Sequence, residues 1–138
     1  MKTIKLMTII AATIFITSCA KERPADLPKT TTTKDTEKPV ITYIQELKTL
    51  YNVGAKVILN FKVSDNKKLK QINLKAVNTT TDSVYLNKVF NTTLNKIEIK
   101  DSIYTNLTTT MANFTIFIEA FDSTGNKAML DKAFHVMD

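Results

Sequence analysis

The chain has 138 residues, with 19 Lys+Arg against 13 Asp+Glu, a formal charge of +6, one cysteine, one histidine, two glycines and no tryptophan. One cysteine excludes an intrachain disulfide framework, and one histidine with one cysteine cannot supply the usual ligands of a structural zinc site. The basic residues are scattered and interleaved with acids, whereas nucleic-acid binding wants a concentrated basic face with aromatics.

The N-terminus reads as an export signal. Lys2 and Lys5 form a short basic region, and residues 6–16, LMTIIAATIFI, form an apolar run of eleven residues. That is long enough for a signal-peptide core and too short for a membrane-spanning helix, which needs roughly twenty residues. Ile16-Thr17-Ser18-Cys19 follows. It resembles a bacterial lipobox, an aliphatic residue and two small ones before the cysteine. The resemblance implies cleavage before Cys19 and acylation of its thiol and new amino group. Several acyl chains anchor stably, where a single one binds reversibly. An ordinary signal peptide with a spare cysteine is the competing reading. By resemblance to the sorting signals of Gram-negative lipoproteins, Ala20 after the cysteine, where an aspartate would retain the protein at the inner membrane, implies outer-membrane sorting. Lys21-Glu22 is a weak match to a surface-export signal.

Residues 1–18 therefore read as a lipoprotein signal peptide. Lys2 and Lys5 leave with it, so the mature chain has 17 basic and 13 acidic residues, a balance of +4. Residues 19–39 read as a lipidated flexible tether. Residues 20–39, AKERPADLPKTTTTKDTEKP, carry Pro, Thr and charge but almost no large apolar residue, too little to offset ordering entropy. Residues 40–138 form one domain of a size that buries an adequate core.

Period-two alternation dominates that domain. Residues 40–46 predict a first strand, although Ile44, Leu47 and Tyr51 also fit one helical face. Residues 56–63, KVILNFKV, alternate Val57, Leu59, Phe61 and Val63 against polar or outward positions, and Ser64-Asp65-Asn66 is a turn. Residues 69–77 direct Ile72, Leu74 and Ala76 to one side. Residues 83–90 carry Val84, Val89 and either Tyr85 or Leu86, and 96–103 carry Ile97, Ile99 and Ile103. Residues 114–121, FTIFIEAF, predict a central strand with Phe114, Ile116, Ile118 and Ala120 inward. After a turn holding Gly125, residues 127–136 return with Phe134 and Val136 inward. About seven short strands joined by polar turns predict an all-β, two-sheet antiparallel β-sandwich.

The segments VILNFKVSDN (57–66) and FTIFIEAFDSTGNKA (114–128), with Gly54 ahead of them, resemble the immunoglobulin-like domains of small bacterial lipoproteins. The resemblance covers nearly all of 39–138 and implies an immunoglobulin-like sandwich. Phe114 stands near the place of a frequent corner tyrosine. The cysteine pair and core tryptophan of antibody domains are absent.

Few residues suggest chemistry. No nucleophile elbow or phosphate-cradling loop is present, and His135 reads as a strand residue, so the expectation is a protein that is not an enzyme and needs no cofactor. The one cofactor candidate is calcium. In an immunoglobulin-like topology Asp65 and Asp122 fall at the same end of the sandwich, near Asn66 and Asn126, and oxygen ligands from two loops suit that ion. The competing reading is that each Asp caps its own turn. Tyr43, Tyr51, Tyr85 and Tyr104 are candidates for sugar stacking. Ser83, Ser102 and Ser123 each follow an aspartate and precede an apolar residue or Thr. That pattern resembles the acceptor of a bacterial periplasmic O-glycosylation system. The expected function is an outer-membrane lipoprotein, held to the membrane by its lipid, that presents its domain for adhesion or docking to an envelope or extracellular protein. The alternative is a glycan-binding accessory of a nutrient-uptake system.

Overall fold

The structure, a computed structural model, describes residues 33–107 and 110–138. Eight strands follow in chain order: β1 (Val40–Gln45), β2 (Leu50–Asn52), β3 (Lys56–Ser64), β4 (Leu69–Asn78), β5 (Ser83–Asn91), β6 (Lys96–Tyr104), β7 (Met111–Asp122) and β8 (Lys127–Met137). They form a three-stranded sheet, β1-β3-β6, and a five-stranded sheet, β2-β8-β7-β4-β5. The expected all-β, two-sheet sandwich is present, and no helix occurs among the described residues.

The strand beyond the expected seven is β2. Residues that also fit a helical face instead change sheets: β1 pairs antiparallel with β3, and β2 pairs parallel with β8, the one parallel contact among the described strands. Leu47, in the connection between the two strands, is buried in the core. Tertiary pairing overrides a short helical periodicity here, because no second turn of helix follows to bury it.

The core lies where the alternation puts it. Val57, Leu59, Phe61 and Val63 of β3 are wholly buried, as are Ile72, Leu74 and Ala76 of β4 and Phe114, Ile116 and Ala120 of β7. Each large side chain buried this way stabilises by roughly 1.5–3 kcal/mol relative to exposure. An aromatic row crosses the five-stranded sheet. Tyr51 meets Phe134 edge-on at 5.1 Å, Phe134 stacks on Phe114 at 5.2 Å, and Phe114 meets Tyr85 edge-on at 4.9 Å. Tyr85 reaches this row because it is the extra residue of a bulge between the pairs Ala76–Leu86 and Val77–Val84. A bulge places two neighbours on one face, so Tyr85 and Leu86 both turn towards the core while Val84 and Val89 are exposed.

The open side between β5 and β6 is closed by charge. Lys88 is paired with Leu74 and Asp101 with Leu59, both inward-facing positions, and their side chains form an ion pair across the two edges. Inward charges on edge strands discourage edge-to-edge association.

β3 defines two poles. At its start, Gly54 (φ +79°) sits third in a turn closed by Ala55 N–H on the Asn52 carbonyl, a position that favours glycine. At its end, Ser64 leads into Asp65.

Candidate functional site

Asp65 and Asp122 do meet at one pole, and a third carboxylate joins them. Oxygens of Asp35, Asp65 and Asp122 all lie within 4.8 Å of one another. Asp65 follows β3, and its Oδ1 accepts the Lys67 N–H at 2.9 Å. Asp122 ends β7 and is fully buried. Its Oδ1 accepts the N–H groups of Thr124, Gly125 and Asn126 at 2.8, 2.6 and 2.8 Å. Its Oδ2 accepts Thr124 Oγ1–H and Asn126 Nδ2–H at 2.9 and 2.7 Å. Gly125 (φ +97°) lets three successive amides converge on one oxygen. Burial by itself would raise this carboxyl's pKa and is the largest single influence. The hydrogen bonds from Thr124 and Asn126 together outweigh it and hold the group below the ordinary aspartate range.

The turn-capping reading of both aspartates is therefore correct, and capping coexists with convergence. Asp35 is the member that the sequence did not flag. It lies in a Thr- and charge-rich run without periodicity, inside the stretch read as tether. In the structure the compact unit begins at Thr33, and Asp35 is only 9% exposed. Its Oδ1 accepts Glu37 N–H at 3.1 Å and Asn66 Nδ2–H at 3.3 Å, and its carbonyl accepts Asn126 Nδ2–H at 3.2 Å. The Oδ2 atoms of Asp35 and Asp65 are buried and unpartnered. The ion pairs among the described residues, Lys88–Asp101 and Lys127–Glu119, do not touch this cluster.

A second feature is a groove on the outer face of the five-stranded sheet. Phe117, Val89 and Met129 supply its apolar surface, and Gln71, Asn73 and Asn87 line it with amides. Val89 and Met129 are 57% and 62% exposed. Glu119 orders one side of the groove. It accepts from Lys127 at 2.6 Å and from Asn73 at 3.2 Å, and these bonds, the Lys127 one foremost, lower its pKa.

The tyrosines do not gather into a platform. Tyr43 packs on Phe61, and Tyr51 and Tyr85 end the aromatic row. Only Tyr104 is largely exposed, with Lys56 Nζ 5.9 Å from its ring centre. Burial raises the pKa of the Tyr43 hydroxyl, with smaller contributions from Glu46 and Asp131. His135 is exposed on β8, its Nδ1 2.7 Å from Asn113 Oδ1. Ser83 and Ser123 are exposed, and Ser102 is half-buried within β6. Cys19 and the signal and anchor assignments lie outside the described residues. Comparison of the chain with protein-family models and with curated proteins returned no match.

Proposed function

We infer that this chain is a lipid-anchored, non-enzymatic binding module of the bacterial outer membrane. Cys19 carries the lipid, the tether spaces the domain from the bilayer, and an immunoglobulin-like sandwich docks a protein of the envelope or of the exterior. The strand orders β1-β3-β6 and β2-β8-β7-β4-β5 support the immunoglobulin-like reading, since the strand following β3 crosses to the opposite sheet and lies beside β7. The observation that carries docking is the amide-lined groove with exposed Val89 and Met129 on a sheet face that nothing in the described domain covers. Apolar side chains rimmed by polar groups are the composition of a protein-contact patch.

The groove also favours the second reading. Amides lining the groove with Phe117 are groups that suit sugar hydroxyls and a sugar face, which makes this groove, rather than the tyrosines, the candidate for glycan binding. In-cell cross-linking from residue 129, alongside a glycan array, separates the two. A protein adduct lost in Met129→Glu supports docking; array binding lost in Asn73→Ala, with no adduct, replaces it with glycan recognition. Protease treatment of intact cells fixes the side of the membrane. Digestion while a periplasmic control survives means surface display, and protection until the outer membrane is opened removes the adhesion role.

A further inference from the structure

The acidic pole holds more oxygen ligands than its own turns use. Asp122 is consumed in organising its loop, yet one of its carboxylate oxygens lies within 4.8 Å of oxygens of Asp35 and Asp65. Asp35 is nine-tenths buried, and one oxygen each of Asp35 and Asp65 has no hydrogen-bond partner. Buried polar atoms in folded proteins normally have partners, and a buried carboxylate without a countercharge is strongly disfavoured.

We propose that Asp35, Asp65 and Asp122 hold one calcium ion, and that the ion fastens the domain end of the tether to the sandwich. The donor set is all oxygen, which suits a hard cation and offers zinc neither of its preferred ligand types. Calcium accepts irregular, flexible oxygen cages, whereas magnesium demands near-ideal octahedral geometry and gives up its waters reluctantly, so a cage assembled from three separate segments favours calcium. The three carboxylate oxygens lie within 4.8 Å of one another, inside the span of calcium ligands. Three carboxylates are few for calcium, but the pole has more to offer. The Asp35 carbonyl and Asp122 Oδ2 share the Asn126 amide as donor, and Asn66 donates to Asp35 Oδ1. A half-turn of the Asn66 amide, whose nitrogen donates to Asp35 Oδ1, exchanges that nitrogen for an oxygen in the same place. Asp65 and Asp122 belong to the sandwich, whereas Asp35 arrives from the tether side of β1. A shared ion would therefore order the segment between Asp35 and Val40 against the sandwich. This holds whichever partner the groove takes.

The test is calorimetric titration of calcium chloride into the full-length chain, purified in detergent and stripped with EDTA. Thermal unfolding and endoproteinase Lys-C cleavage after Lys34 accompany it. The expected result is one calcium per chain, a raised Tm, slower cleavage after Lys34, and a weaker response to magnesium. Asp35→Asn and Asp65→Asn should each weaken calcium binding by about tenfold or more and abolish the protection. In EDTA both should unfold at or above the wild-type temperature, because each relieves repulsion between carboxylates. Absence of heat and of a Tm change in the wild type at millimolar calcium overturns the site. Wild-type affinity in Asp35→Asn overturns the tether clasp.

Discussion

The two poles of the sandwich solve the same problem with different chemistry. Both bury polar groups beneath turns. At the Gly54 pole those groups are neutral and complete. The Thr105 hydroxyl, fully buried, donates to the Asn52 and Ala55 carbonyls at 2.9 and 3.2 Å in one shared bond, while its own N–H reaches Ala55. Buried Asn78 accepts Thr80 N–H and Thr81 N–H through Oδ1. At the other pole, Asp122 organises its turn through charge, and two neighbouring carboxylates converge on it with oxygens to spare. A pole made of neutral, satisfied groups rigidifies without further help. A pole made of like charges stores repulsion that an added cation would relieve. The difference suggests that the neutral pole is structural and the acidic one responsive.

Mutations can break this contrast, and the largest effect belongs to the neutral pole. Phe114→Ala removes the centre of the aromatic row and leaves a cavity between Phe134 and Tyr85, at a cost of about 4 kcal/mol in denaturant unfolding. A cost under about 1 kcal/mol would mean that the row is not the mechanical centre of this pole. Asp122→Ala, compared with wild type in EDTA, strips three backbone N–H groups of their acceptor. It should cost about 3 kcal/mol, separating the structural role of Asp122 from any role in binding. Thr105→Val keeps the shape of its neutral counterpart and removes one hydroxyl, for a loss of about 1 kcal/mol. If Thr105→Val proved costlier than Asp122→Ala, the contrast between a charged and a neutral pole would be inverted.

The smallest expected effect lies between the poles. Glu119 has its folded pKa lowered by Lys127 and then Asn73. A depressed carboxyl stabilises the fold fully above its unfolded pKa and loses that contribution as pH falls through the folded value. Stability measured from neutral pH into the acid range should therefore decline less steeply in Glu119→Gln. The difference should stay under about 1 kcal/mol, because the pair is partly solvated.

The legibility of the chain follows the range of the interactions involved. Residues 57–63 and 114–120 show their strands and inward faces in period-two alternation, because one pleat turns every second side chain to the core. The turn at Asp122 was equally readable, since its hydrogen bonds span only four residues. Position 85 was not. Whether Tyr85 or Leu86 points inward depends on a bulge fixed by the register with β4, and the answer is both. β2 escaped because three residues show no usable period, and its partner β8 lies more than eighty positions away. Asp35 escaped for the same reason: its Asn126 contact spans 91 residues.

Short-range rules, alternation and turn chemistry, thus determined from sequence alone that this chain forms a two-sheet sandwich with Asp65 and Asp122 in capped turns. Tertiary structure alone decided that Asp35 completes a triad at the pole those turns share, and that three of the four tyrosines pack on the core. Such outcomes depend on which distant segments come to lie side by side, and a local pattern carries no information about that.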